Sequence, residues 1–163
     1  MMTRGHRHRC GFTLIELVIT VAIVGLLATA AWPMAELSVQ RAREQELHFA
    51  LREIRTALDA YKEAVNDGRI VNALGESGYP PSLGVLVDGI PDTRDPEGKS
   101  RIYFLRKIPR DPMFAGPEMT NEQIWGKRSY ASSAGEPMEG EDVFDVYSSS
   151  PGIGLNGIPY RDW

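Results

Sequence analysis

The feature that most constrains this chain is an apolar run over residues 12–32 that contains a single charged residue, Glu16. A helix of this length measures about 31 Å, close to the thickness of the hydrocarbon core of a bilayer. The preceding residues 1–11 carry three arginines and no acidic residue. Because positive charge is retained in the cytoplasm, the pattern predicts a cytoplasmic N-terminus and a chain that emerges on the other side. We therefore expect a membrane-spanning helix over residues 12–33, preceded by a basic leader over residues 1–11.

The helical pattern continues beyond Pro33. Proline cannot donate to the carbonyl four residues earlier, so we expect a kink near residues 29–33. Further on, apolar residues recur every three or four positions, which is typical of a helix with one buried face. This stripe consists of Leu47, Leu51, Ile54, Leu58, Tyr61 and Val65, with Ala50, Ala57 and Ala64 beside it. The string Asn66-Asp67-Gly68 predicts the helix end, so residues 34–67 form an amphipathic spine helix.

The remainder, residues 68–163, contains ten of the eleven prolines and is expected to form a globular domain. A short helix is predicted within residues 82–87, with Ser82 as its cap. Strands are predicted within residues 101–107, 127–132 and 142–148, from their β-branched and aromatic residues. The fold class is therefore α+β: a long N-terminal helix, made of stem and spine, packed on a small antiparallel sheet.

Composition excludes several functions. The net charge is −4, and removal of the leader leaves 15 basic against 22 acidic residues. An acidic body argues against nucleic acid as a partner, because phosphate binding requires a cationic face. The single cysteine, Cys10, rules out an intramolecular disulfide. The common catalytic and phosphate-binding strings are not found, and the aspartates lie beside prolines, glycines or strand ends, where turn or capping roles are expected. We predict that the chain is not an enzyme.

Three interpretations of residues 1–33 remain. A secretory signal peptide would explain the basic start and the string Ala28-Thr29-Ala30, which offers a cleavage site. A plain membrane anchor would explain the length. Both leave Glu16 as an unpaired charge within an apolar helix, which costs about 2.5–3.5 kcal/mol at a helix centre and less near the end. The third interpretation depends on the residues around Glu16.

The string Gly11-Phe12-Thr13-Leu14-Ile15-Glu16, between a basic leader and about twenty apolar residues, resembles the type IV pilin-like prepilins. The resemblance implies cleavage by a prepilin peptidase between Gly11 and Phe12, followed by N-methylation of Phe12. Cleavage would create an ammonium group four residues from Glu16, on the same helix face. The family further implies that Glu16 serves assembly, by meeting the terminal amine of a neighbouring subunit. Whether Glu16 pairs mainly with its own amine or with a neighbour's stays open.

Later segments resemble one branch of this family, the major pseudopilins of type II secretion systems. Three segments match in order, residues 78–83, 105–112 and 142–148, and the sequence ends in Trp163 as theirs commonly do. Longer connections over residues 69–78 and 113–126 depart from the family pattern.

The resemblance also raises the question of calcium, which the family's final loop usually binds. In this chain the loop offers Asn156 and Asp162 as weak oxygen donors, and a serine stands where an acidic ligand is expected. Calcium requires six to eight oxygens, several of them usually carboxylate. We therefore expect no metal and no cofactor, with calcium left as an open alternative. The other interpretation is a loop held by turns and by the packing of Tyr160 and Trp163.

The resemblance implies a structural subunit of a type II secretion pseudopilus, a filament that supports protein export across the outer membrane. Expected partners are copies of the same chain, other pseudopilins, the prepilin peptidase, the inner-membrane assembly platform and membrane lipid. The expected location is the inner membrane as a single-pass protein with a periplasmic domain. Two alternatives stay open: a minor pilin of a type IV pilus system, and a soluble periplasmic binding protein or enzyme with a cleaved signal peptide.

Overall fold

The computed structural model describes residues 12–114, 116 and 119–163, apart from the side chains of Ala30, Ala31 and Pro33. The predicted leader, including Gly11, lies outside the described residues. The first helix, α1, runs over Leu14–Asn66. The chain forms two compact units, and the division between them falls inside α1, between Gln40 and Arg41.

The second half of α1 is the spine of the second unit, as its apolar spacing predicts. Leu47 and Ile54 are fully buried, and the neighbouring alanines Ala50, Ala57 and Ala64 are each at most 5% exposed. Full burial of one aliphatic side chain contributes roughly 1.5–3 kcal/mol, so this stripe is a major source of the unit's stability. The core that it joins includes Leu83, Leu86, Ile124, Trp125, Val143 and Val146.

The end of α1 also agrees with the sequence. Gly68 adopts φ 70°, a backbone conformation that glycine reaches without strain. Its N–H donates to the carbonyl of Val65, and the N–H of Arg69 donates to the carbonyl of Ala64. These two bonds satisfy carbonyls in the last turn that would otherwise lack intrahelical partners.

A short helix, α2 (Gly84–Asp88), follows, but Ser82 does not cap it. The residue at the cap position is Leu83, and no side chain bonds the helix start from there. The N–H of Gly84 instead donates to Oε1 of Glu122 at 3.3 Å. The capping prediction was wrong because a carboxylate distant in sequence supplies the acceptor that Ser82 was expected to supply.

The strands are shorter than predicted and form two ribbons instead of one sheet. Strand β1 (Ile90–Pro91) pairs with β2 (Arg101–Ile102), and β3 (Trp125–Arg128) pairs with β4 (Asp145–Ser148). Both pairs are antiparallel. A 3₁₀ turn follows at Tyr160–Asp162. The structure is thus α+β and pilin-like, with a long helix and small antiparallel sheets.

The shift of β3 follows from contacts with residues further along the chain. The strand begins at Trp125 and contains Gly126, against whose backbone the ring of Tyr147 packs. A Cβ at position 126 would lie 2.2 Å from that ring, so the glycine permits the close approach. Beyond Arg128 the chain turns, because the N–H of Ser129 donates to the carbonyl of Met138. Residues 129–132 therefore leave the predicted strand.

The hairpin loop between β1 and β2 is organised by two aspartates. The carboxylate of Asp95 accepts the backbone N–H groups of Glu97, Lys99 and Ser100. Asp92 accepts two N–H groups of Arg69 and the backbone N–H of Arg94. Backbone hydrogen bonds lower the pKa of Asp95, and the Arg69 side chain does the same for the pKa of Asp92. Because a lowered pKa means that folding favours the charged form, these contacts stabilise the fold above the usual aspartate pKa and are lost on acidification below it.

Candidate membrane and assembly site

The start of α1 places Glu16 in a defined local arrangement. Thr13 is the residue before the helix, and its Oγ1 accepts the backbone N–H of Glu16 at 3.3 Å. Thr-x-x-Glu is the capping-box sequence, in which the threonine side chain satisfies an N–H of the first turn. A carboxylate in this turn also faces the positive end of the helix dipole. The sequence carried this signal in residues 13–16, although our interpretation of Glu16 had not used it.

Those side chains of the predicted membrane segment that the structure describes are exposed. Leu14 is 81% exposed, and Leu26, one residue after Gly25, is 73% exposed. The hydroxyls of Thr20 and Thr29 donate to carbonyls three residues earlier in the same helix. They therefore place no unsatisfied donor on the apolar surface. By length and composition, α1 is long and apolar enough to cross a membrane.

Two predicted site residues are not tested by this geometry. Phe12 is 80% exposed and precedes α1, so the structure places it four residues before Glu16 but shows no pairing between them. The bounds of α1 include Pro33, whose side chain lies outside the described residues. The kink at Pro33 stays a prediction, and so does cleavage between Gly11 and Phe12.

A second set of contacts joins the last residues of the chain to α1. Oε1 of Glu44 accepts the backbone N–H of Leu155 at 2.8 Å and the hydroxyl of Tyr160 at 3.0 Å. The ring of His48 stacks on Trp163 with centroids 4.3 Å apart. These contacts attach residues 153–163, here called the closing segment, to the helix.

Arg55 extends the same attachment. Its Nε donates to Oδ1 of Asp145 at 2.8 Å, and its Nη2 donates to the carbonyls of Val146 and Trp163. One guanidinium thus joins α1, β4 and the closing segment. His48 lies four residues after Glu44, and Arg55 lies seven residues after His48. The three side chains therefore share one side of α1. That spacing was visible in the sequence, but nothing in the sequence said what would pack there.

The calcium candidates are engaged in other contacts. Oδ1 of Asn156 accepts the backbone N–H of Ile158, and Oδ1 of Asp162 lies 3.7 Å from Nε of Arg161. Gly154 leaves no room for a side chain, because a Cβ there would lie 2.4 Å from the Trp163 ring. In the part of the chain that the structure describes, no three His, Cys, Asp or Glu side chains gather as a metal site. The interpretation based on turns and on the packing of Tyr160 and Trp163 matches these contacts.

The aspartates considered for catalysis serve as structural acceptors. Asp111 is fully buried, and its carboxylate accepts the hydroxyl of Ser148 at 2.6 Å and the N–H of Met113 at 2.8 Å. Asp142 accepts the N–H of Tyr130. The contact between Asp111 and Met113 is of the turn type that was expected, whereas the contacts with Ser148 and Tyr130 join residues more distant in sequence.

The fold and its apolar N-terminal helix define a pilin-like protein. Residues 6–32 match the family model described as the prokaryotic N-terminal methylation motif, which includes Gly11, Phe12 and Glu16. The resemblance to the type IV pilin-like prepilins is thereby confirmed.

Curated relatives give a more specific resemblance over most of the chain. This chain is 26% identical to type II secretion system core protein G of Dickeya chrysanthemi. The match covers 96% of this chain and 84% of that protein. The core protein G of Klebsiella pneumoniae is 28% identical, over 91% of this chain and 86% of its own length. The core protein G of Pseudomonas aeruginosa is 29% identical, over 65% of this chain and 69% of its own length. No solved structure matches the chain.

Proposed function

We propose that this chain is a structural subunit of a type II secretion pseudopilus and assembles through α1 into a filament that supports protein export across the outer membrane. The main support for the proposal is that one segment of the chain has both the methylation motif and an exposed apolar surface. Of the methylation motif over residues 6–32, residues 14–32 lie on α1, and the large apolar side chains there are exposed. A surface of this kind is covered by lipid or by other apolar helices, because its exposure to water is unfavourable. Both environments are available to a subunit that leaves a membrane to join a filament.

Processing supplies the positive partner of Glu16. Cleavage between Gly11 and Phe12 creates an ammonium group on Phe12, and N-methylation retains its charge. In the membrane, a carboxylate near this ammonium is less costly than an isolated one. In the filament, the Glu16 carboxylate of one subunit pairs with the terminal amine of its neighbour. A polar pair in apolar surroundings is costly to break, so it favours a single axial register.

The location and partners follow from the same elements. The basic leader stays in the cytoplasm, residues 12–33 cross the inner membrane, and residues 41–163, including the second half of α1, lie in the periplasm. The partners are further copies of this chain, other pseudopilins, the prepilin peptidase, the assembly platform and lipid. The curated relatives are named as secretion-system core proteins, which supports a role in assembly and not in catalysis.

The closing segment needs no calcium in this proposal. The donors that a calcium ion would use are bonded within the segment, and Glu44, His48 and Arg55 attach the segment to α1. Calcium also favours several carboxylate ligands, which this loop does not assemble. The side chains of α1 hold the closing segment in place, as a bound ion would otherwise do.

The mature N-terminus tests the proposal most directly. Intact mass of the protein extracted from membranes should show loss of residues 1–11 and the gain of one methyl group. A host without prepilin peptidase should leave the chain uncut, which is the matched control. A water-soluble product that begins after Ala30 would contradict the proposal and support a signal peptide.

A further inference from the structure

The apolar segment of α1 ends at a tryptophan with an unusual local partner. Trp32 is 73% exposed, and its indole Nε1 donates to Oε1 of Glu36 at 2.8 Å. The two residues are one helical turn apart, so the bond lies along the helix surface. The indole thus presents an apolar ring together with a polar edge that points toward the following charged residues.

The position of this pair matches a membrane boundary. From Leu14 to Trp32 the helix rises about 27 Å, close to the thickness of a hydrocarbon core. Glu36 is the first charged residue after Glu16, and Arg41 and Arg43 follow. Charge therefore first reappears along α1 one turn after Trp32, while Met34, Leu37 and Val39 are exposed apolar side chains in the same segment.

Tryptophan is suited to this boundary because its ring is apolar while its N–H requires a polar partner. Here Glu36 is that partner, and it lies on the aqueous side of the ring. Moving the pair into the hydrocarbon would bury a carboxylate, which is costly. Moving it into water would expose the apolar ring, which is also unfavourable. The two costs act in opposite directions along the membrane normal.

We propose that Trp32 and Glu36 form an interfacial anchor that sets the depth of α1 in the bilayer, with Trp32 at the boundary between acyl chains and phospholipid headgroups on the periplasmic side. The partner is a lipid surface, and the pair opposes movement of the helix in either direction. The inference rests on the membrane residence of α1 in the proposed function.

Depth-dependent fluorescence quenching tests the anchor in the full chain. The protein is reconstituted in vesicles of phosphatidylethanolamine and phosphatidylglycerol that contain lipids brominated either near the headgroup or near the end of the acyl chain. Shallow bromines should quench tryptophan emission more strongly than deep ones. This quenching should disappear in Trp32→Phe and persist in Trp163→Phe, whose substituted ring lies against His48 and Tyr160.

Two substitutions at Glu36 separate its charge from its hydrogen bond. Glu36→Leu removes both, so Trp32 should move deeper and quenching by the deep bromines should increase. Glu36→Gln keeps an amide oxygen for the indole N–H but no charge, so an intermediate shift is expected. Glu46→Leu, ten residues further along α1 at another exposed position, should leave the quenching depth unchanged.

The outcomes also distinguish this inference from the proposed function. Failure of the chain to float with the vesicles would contradict membrane residence itself. Flotation without quenching that depends on Trp32 would overturn the anchor, and crosslinked dimers in that case would indicate that a second copy covers the ring. Stronger quenching by the deep bromines in the unaltered chain would also overturn it.

Discussion

Glu16 is the residue on which the assembly proposal depends, and it has two separable roles. Its backbone N–H is capped by Thr13, which is a local matter of helix formation. Its carboxylate is exposed at the start of α1 and is free to respond to a nearby ammonium. Substitutions at Thr13 and at Glu16 can therefore separate helix capping from the proposed subunit pairing.

Glu16→Ala should be inserted and cleaved normally, because removal of a charge favours membrane residence. It should fail to form filaments, because the proposed assembly requires this carboxylate to pair with a neighbour's amine. Chemical crosslinking in membranes from cells that express the chain measures assembly, and intact mass measures processing.

Thr13→Val is the matched control for this prediction. It removes the cap, at a typical cost of about 1 kcal/mol to the helix, but keeps the Glu16 carboxylate. Crosslinked multimers should persist in Thr13→Val and be lost in Glu16→Ala. Multimers at the unaltered level in Glu16→Ala would refute the pairing role.

At the scale of elements, α1 combines two different surfaces in one helix. Before Gln40 its large apolar side chains, as far as the structure describes them, are exposed, and beyond Arg41 one face is buried in the core of the second unit. The side of the second half that adjoins this buried face is also used, because it holds the closing segment through Glu44, His48 and Arg55. The spine helix thus organises both the core and the end of the chain.

Glu44→Ala should loosen the closing segment without unfolding the second unit. The change removes two hydrogen bonds to a carboxylate, and hydrogen bonds to charged groups contribute about 1.5–3 kcal/mol each, reduced here by partial exposure. Hydrogen–deuterium exchange of a peptide that covers residues 153–163 should therefore become faster, with the Leu155 amide most affected.

Glu46→Ala is the control for the Glu44 substitution. The side chain of Glu46 is exposed and lies two residues further along the same helix. Exchange in residues 153–163 should remain slow in that variant. Equal acceleration in both variants would mean that general weakening of α1, and not the Glu44 contacts, controls the segment.

At the scale of the whole molecule, the second unit is held together by contacts within its own chain. Its core is apolar, its loops are braced by Asp92, Asp95 and Asp111, and its closing segment is attached to α1. Each of these contacts lies within the chain. The stability of the unit should then be independent of divalent cations.

Thermal unfolding in detergent should give the same midpoint in excess calcium as in excess chelator. A ligand that binds only the folded state would raise the midpoint with its concentration. Magnesium at equal ionic strength controls for charge screening. A rise specific to calcium, lost in Asp162→Ala, would contradict a closing segment fastened by α1 alone.

The helical part of the fold was accessible from the sequence because its signals are local. The stripe from Leu47 to Tyr61 is buried as its spacing predicts, and α1 ends before Gly68 as the turn residues indicate. Periodicity and glycine chemistry act over a few residues, so no distant contact is needed to interpret them.

The strand boundaries were less accessible, because they depend on partners that are distant in sequence. Ser82 has the right chemistry for a cap, but Glu122 takes the Gly84 N–H. Strand β3 begins at Trp125 because Gly126 allows the Tyr147 ring to lie against it. Short strands carry weak local patterns, so the pairing and the packing decide where they start and stop.

The sequence by itself determined the apolar stem, its single carboxylate at position 16, the methylation motif and the helical spine, since each is written in neighbouring residues. Only the tertiary structure decided that Glu44, His48 and Arg55 hold the closing segment. The physical reason is that these contacts join groups about a hundred residues apart, whose proximity is created by folding and is not encoded in any local spacing.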